Sequence, residues 1–299
     1  MGARTALYPG RPNARVILQK VQEFRPTLFF SVPTLYAAML HETDAENPYW
    51  LDSVRLGISA AEPLPAEIFR RWRQRFGFEL LDGLGSTEAL HIYVSARAGQ
   101  VRPGSSGLPV PGYEIRITDE RGSEVAPGQV GDLWVRGKSI APCYGNRPEL
   151  SRQRMQGEWF FTGDKYSPDP DGYLWYAGRS DDMFRVSGDW VSPVEVESAL
   201  VEHPAVLESA VVPYTDDNGL LKPKAWVVLK QGWAAGDGLV RELQEFVKQR
   251  IARYKYPRRV AFLEELPKTA TGKIQRYRLR DQRDPHASPP PSSSAAPVA

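Results

Sequence analysis

The run Asp82-Gly-Leu-Gly-Ser-Thr-Glu88 places small residues, a hydroxyl and a carboxylate side by side. Small residues let a backbone approach a ligand closely, Thr87 offers a hydroxyl, and Glu88 offers a hard oxygen suited to a cation such as Mg2+. A dinucleotide fingerprint needs glycine where Glu88 stands, so Gly83 and Gly85 do not make one. Taken alone, the run suits a strand end and turn equally well. Thr162-Gly163-Asp164 follows the apolar Trp159-Phe-Phe. An aspartate there can accept hydrogen bonds from ribose hydroxyls, and it can also make an ordinary turn. Gly178-Arg-Ser-Asp-Asp-Met-Phe-Arg-Val-Ser-Gly188 mixes charge, glycine and the apolar Met183, Phe184 and Val186. That composition predicts a linker that docks, of the kind in which a few residues absorb a hinge rotation. Pro267-Lys-Thr-Ala-Thr-Gly-Lys273 presents a lysine on a Gly- and Thr-containing loop, a cationic finger. It is no Walker loop, because Ile274 follows Lys273 where Ser or Thr is needed. The plain alternative is a surface loop before a basic helix.

The elements around these runs can be read from periodicity. Ile68, Trp72 and Phe76, with Phe69 beside them, predict one apolar helix face. Glu114–Thr118 and Asp132–Arg136 alternate as half-buried strands, with a turn at Asp119–Gly122. Ser192-Pro-Val-Glu195 predicts a helix start with Ser as cap, Pro in the first turn and Glu closing a capping box. Val196 and Leu200 then share a face. Val206–Val212, Ala225–Leu229 and Val260–Leu263 are strand-like, and Leu239, Leu243, Phe246, Val247 and Ile251 mark another amphipathic helix. Alternating strand and helix signals predict a compact α+β domain here. The Pro- and Ser-rich residues 285–299 cannot bury a core and are expected to be disordered.

Composition excludes several classes. The 299 residues are 41% hydrophobic and 25% charged with a net charge of +2, which gives no dedicated nucleic-acid or membrane surface. The basic stretch Lys268–Arg283 reads as a solvated face. The single cysteine, Cys143, allows no internal disulfide and fits a reducing compartment. The first residues lack the apolar core of a signal peptide, and Leu28–Leu40 is too short and too broken to span a bilayer. A cytoplasmic protein is expected.

In their order and spacing, the four runs together resemble the adenylate-forming superfamily of acyl-CoA synthetases, firefly-type luciferases and peptide-synthetase adenylation domains. The resemblance covers about residues 10–283. Asp82–His91, Pro103–Tyr113 and Gly178–Glu197 are similar to benzoate-CoA ligases and their hydroxybenzoate relatives. The fold so implied is α/β plus α+β. Residues 1–180 would form the C-terminal part of the large AMP-binding domain, with a β-rich subdomain at about 110–178. Residues 181–284 would form a small mobile α+β domain carrying the catalytic lysine.

The activity implied joins a carboxylate to ATP, giving an acyl-adenylate, and then passes the acyl group to the thiol of CoA. By similarity Ala60, Ala61, Glu62 and Pro63 line the adenine face and Asp82 accepts from the adenine amino group. Leu84 stands where many relatives place an aromatic. Thr87 bonds the α-phosphate, Glu88 helps to hold Mg2+, and Asp164 binds the ribose hydroxyls with Arg179 nearby. Lys273 bridges the acyl carboxylate and the phosphate, Asp181 is the hinge, and Gly188 flanks the pantetheine tunnel. The acid pocket would include Ser31–Tyr36, Gly83, which leaves room for a flat ring, and His91. The alternative for His91 is a core histidine.

One departure qualifies this. The family's Ser/Thr/Gly-rich phosphate-grasping loop is not found between Met1 and Val32. The resemblance therefore implies that about half of a normal synthetase is absent, through truncation, a mis-called start or a split enzyme with a complementary chain. A sheet cut in this way would expose apolar faces. The competing function is a catalytically inactive fragment that binds nucleotide, CoA or a partner subunit; a luciferase-like oxidation has nothing in its favour.

Overall fold

The computed structural model describes residues 2–10, 12–42, 51–186, 188–269 and 274–280. Lys273 and the expected tail lie outside the described residues. The chain forms two compact units, one running to Met183 and one beginning at Phe184.

The first unit opens with α1 (Ala14–Phe24), capped by Asn13, whose side chain accepts from Val16 N at 2.9 Å. Then come β1 (Leu28–Ser31), α2 (Pro33–His41), β2 (Leu56–Ala60), α3 (Ala66–Phe76) and β3 (Glu79–Gly85). The three strands are parallel, in sequence order, as strand–helix–strand units require. β4 (Ile92–Ser95) and β5 (Leu108–Pro109) extend the sheet antiparallel. Helix α3 buries Ile68, Phe69 and Trp72, as the four-residue spacing predicts, and ends at Gly77 in the left-handed conformation. Trp72 packs edge-on against Tyr36, whose hydroxyl donates to Phe29 O and Ile58 O at 3.0 and 3.1 Å. Those bonds lock α2 onto β1 and β2. The opposite sheet face is apolar and open: Leu28 and Phe30 alternate outward on β1, with Phe30 60% exposed.

A second sheet follows, built from β6 (Tyr113–Thr118), β7 (Gly131–Gly137), β9 (Trp159–Pro168) and β10 (Leu174–Arg179), in the order β10-β9-β7-β6. The short α4 (Pro148–Arg154) and β8 (Met155–Gln156) precede β9. The predicted turn is present, with Asp119 Oδ1 accepting from Arg121 N and Ser123 N. Ile117, Leu133, Val135, Phe160 and Tyr166 pack with Tyr93 and Val94 of the first sheet as one core.

The second unit contains β11 (Phe184–Val186), β12 (Asp189–Val191), α5 (Pro193–Val201), β13 (Val206–Thr215), β14 (Leu221–Leu229), α6 (Asp237–Lys248), β15 (Arg259–Phe262) and α7 (Arg276–Arg280). Ser192 Oγ caps α5 by accepting from Glu195 N at 3.1 Å. The reciprocal half of the expected capping box is replaced: the Glu195 carboxylate pairs with Lys255 Nζ at 2.6 Å. An ammonium offers a charged partner, which a backbone N–H does not. Leu239, Leu243 and Val247 are buried on α6, whereas Phe246 turns toward His203 and Ile251 lies beyond the helix end. Among the described residues no helix is long and apolar enough to cross a membrane.

Candidate active site

Parallel strands bring distant runs to one edge. The carboxyl ends of β1, β2 and β3 place Ser31–Tyr36, Ala60–Pro63 and Gly83–Glu88 side by side, at the end of the sheet where open α/β folds bind ligands. Ala61 has φ +77°, a conformation side chains rarely adopt, so the turn after β2 is held under strain. β3 continues as strand through Gly85, so the run that begins at Asp82 is half strand and half turn. Gly85 is required by close approach, since a Cβ there would collide with the His91 carbonyl.

Thr87, Glu88 and Ala89 form a short 3-10 turn. Ser139 Oγ and Tyr113 Oη donate to Ala89 O at 2.9 and 3.2 Å, and Ala141 N donates to Glu88 O at 2.7 Å. The second sheet thus holds the turn through its backbone, leaving Thr87 exposed and Glu88 half-buried. Tyr144 Oη donates to Glu88 Oε1 at 2.7 Å. Burial alone would raise the Glu88 pKa. The Tyr144 hydroxyl, with smaller help from a backbone N–H, Ser86 and the Arg154 charge, more than offsets it and holds the carboxyl below its usual range.

Thr162–Asp164 is a β-bulge. Asp132 pairs with Lys165 and Trp134 with Phe161, so three residues face Leu133 alone. Gly163 absorbs the bulge at φ +76°. Thr162 Oγ1 donates to Leu133 O at 3.1 Å and accepts from Asp164 N at 3.0 Å. The bulge aims Asp164 at Arg179, its register partner on β10, with a guanidinium-to-carboxylate distance of 2.9 Å.

The Asp82 carboxylate points into the interior, 5% exposed, and accepts from Ser106 Oγ at 3.1 Å. Burial pushes its pKa up to about 7. The room expected over Gly83 is taken by Ile92, whose Cδ1 would lie 2.7 Å from a Cβ there. His91 is exposed, which overturns the alternative of a core histidine: β4 begins one residue later, and the loop lifts the imidazole off the sheet. Glu62 and Pro63 are half-buried after the strained Ala61. Asp181 lies in the turn that closes β10, where Asp182 N and Met183 N both donate to Arg179 O at 3.0 Å. Gly188, in the second unit, has φ +94°, and a Cβ there would meet nothing within 4 Å, so backbone conformation and not crowding selects glycine.

Sequence reasoning missed Tyr144, Arg154, Ser86 and Tyr93. The Tyr93 hydroxyl is buried beside Asp164 and Glu88, and burial first, then those carboxylates, raise its pKa. The Tyr93 and Ser86 oxygens both lack a partner of good hydrogen-bond geometry. Ser86 lies within the Asp82–Glu88 run but was given no role there, and no motif surrounds Tyr144, Arg154 or Tyr93; only the two-sheet contact assembles them. Among the described residues no three His, Cys, Asp or Glu side chains are placed to share a metal ion.

Comparison with known proteins bears on this arrangement. The AMP-binding enzyme family matches residues 1–145, and the AMP-binding enzyme C-terminal domain matches residues 195–273. The chain is 50% identical to a benzoate–CoA ligase of Thauera aromatica over 94% of its own length and 53% of that protein. It is 46% identical to a 4-hydroxybenzoate–CoA/benzoate–CoA ligase of Rhodopseudomonas palustris, covering 52% of it. Among solved structures, an anthranilate CoA ligase in complex with anthranoyl-AMP superposes with a TM-score of 0.89 at 48% identity. The overlap covers 93% of this chain and 54% of that one. A benzoate CoA ligase from Burkholderia xenovorans superposes with a TM-score of 0.84 at 51% identity, over 91% and 54%. The chain spans about half the length of the curated relatives it matches.

Proposed function

The chain belongs to the AMP-binding enzymes, and on that premise we propose that it serves the ATP-dependent conversion of an aromatic acid, benzoate or a hydroxybenzoate, to its CoA thioester. The observation that carries this reading is the approach of Glu88 and of Asp164, itself paired with Arg179, to the buried Tyr93 hydroxyl, in a chain half identical to a benzoate–CoA ligase.

In the first half-reaction an oxygen of the acid attacks the α-phosphorus of ATP and the bond to pyrophosphate breaks. Positioning and charge stabilisation do most of the work in such a transfer. Thr87, exposed on its turn, donates to the α-phosphate. Asp164 accepts from the ribose hydroxyls, and Arg179 fixes its carboxylate. Ala60–Pro63 form the adenine side, with the buried Asp82 carboxylate behind them, bonded to Ser106. The donor set fits Mg2+ carried by a nucleotide, because Mg2+ keeps several waters and takes one or two carboxylates plus phosphates, not a closed protein cage. Glu88 is the carboxylate that would hold it, and the ion would screen phosphate charge. In the second half-reaction the CoA thiol attacks the acyl carbon, AMP leaves, and the thiol proton passes to solvent. By the proposed roles, Asp181 is the hinge, Lys273 the cation of the first half-reaction and Gly188 the residue beside the pantetheine arm in the second. His91 belongs to the acid side of the site. The setting we propose is cytoplasmic, in keeping with the unpaired Cys143.

For these 299 residues by themselves we propose binding without turnover, because the phosphate-grasping loop is not among them. The test is direct. The purified chain should bind AMP and benzoyl-AMP yet release little pyrophosphate from ATP and benzoate. Failure to bind either nucleotide would refute the site, and brisk pyrophosphate release would refute the division of labour.

A further inference from the structure

Arg154 ends α4, shortly before the Thr162–Asp164 run but outside every run that suggested chemistry. Its guanidinium carbon lies 5.0 Å from the Phe161 ring centroid, a stacking that holds the fork in place. The other side of the fork reaches over Gly163. A Cβ at Gly163 would collide with Arg154 and would lie 3.0 Å from an Arg179 nitrogen, so two guanidinium groups share the open face of that glycine. Only one of them is neutralised: Arg179 has Asp164 at 2.9 Å. Among the described residues no hydrogen bond or ion pair holds Arg154, although its charge acts on Glu88 and Tyr144.

Two adjacent guanidinium groups repel, and an anion between them relieves that repulsion. The planar fork matches phosphate oxygens two at a time, which an ammonium cannot do. We propose that Arg154 is an anion-binding residue of the nucleotide site and donates to the phosphate of the bound adenylate, alongside Arg179. The assignment rests on the reading of this cleft as an adenylate site. It also gives the Gly163 bulge a second purpose: the missing side chain admits the second arginine.

Calorimetric titration of the full chain with AMP and with adenosine separates the two claims. Arg154→Ala should weaken AMP about tenfold while leaving adenosine within about twofold, since adenosine lacks the group that Arg154 contacts. Arg154→Lys should recover only part of the loss, because it restores charge without the fork. If Arg154→Ala disturbs the fold and adenosine binding falls too, Arg154→Lys decides: it should hold adenosine and still weaken AMP. Wild-type chain that prefers AMP, with that preference intact in both variants, would overturn the arginine assignment alone. Wild-type chain with no preference for AMP over adenosine would overturn the adenylate reading and this proposal together.

Discussion

Tyr144 stands 2.7 Å from Glu88 across 56 residues of sequence, hydroxyl to carboxylate. The contact exists because Glu88 rides on a turn bonded to the second sheet, and Tyr144 belongs to the loop that supplies two of those bonds. A carboxylate held this way stays ionised at neutral pH and keeps one orientation.

Tyr144→Phe removes the donor and leaves the ring. Glu88 should then titrate at higher pH, and the variant should need about tenfold more Mg2+ for full ATP binding, as loss of a charge-assisted bond worth about 1.5–3 kcal/mol implies. Carboxyl-carbon NMR and a Mg2+ titration check the two halves. An unmoved Glu88 resonance would show that Tyr144 does not tune it.

Asp82 links stability to pH. Its folded pKa, about 7, exceeds the ordinary carboxyl value, so the folded chain holds the proton more tightly than the unfolded chain. Stability from this group is therefore full below about pH 4 and is lost as pH rises toward 7, by up to about 4 kcal/mol. Asp82→Asn, which cannot ionise, should flatten that decline. Urea denaturation at about pH 5 and about pH 8 measures it, on either side of the folded pKa; equal declines in the two proteins would remove Asp82 as the cause.

Asp164 offers a specificity test. Asp164→Ala should weaken AMP tenfold or more, about 1.4 kcal/mol, and should weaken 2′,3′-dideoxy-AMP much less. Equal losses for both ligands would mean that Asp164 acts through Arg179 and not on ribose hydroxyls.

The second unit contains its own anchor. Arg276 Nε and a terminal nitrogen reach Glu197 at 3.1 and 2.7 Å, and Glu197 also accepts from Val211 N at 2.7 Å. Glu197→Ala removes both bonds to the half-buried Arg276 guanidinium and should cost about 3 kcal/mol. A cycle with Arg276→Ala in thermal denaturation should give a coupling above about 1 kcal/mol. Strict additivity would show that the pair is not coupled.

Lys273 is tested by splitting the reaction. In a form of the enzyme that turns over, Lys273→Ala should slow adenylation by roughly a hundredfold, about 3 kcal/mol. Thioester formation from preformed adenylate should be nearly unaffected. Equal loss in both half-reactions would contradict the role.

The sequence by itself determined the family, most element identities and the order of the chemical runs, because these are local properties. Apolar spacing at 68–76 and 239–247 dictated buried helix faces, and the contiguous run from Asp82 to Glu88 helped to carry the family resemblance. Three-dimensional packing decided what depends on partners far along the chain. It filled the space over Gly83 with Ile92, lifted His91 into solvent, diverted Glu195 to Lys255, and turned Thr162–Asp164 from a plain turn signal into a bulge. It also brought Tyr144 and Arg154, which no motif surrounds, to Glu88 and Gly163. A residue type reveals which bonds a side chain can make, whereas the register of two sheets settles which of them it does make.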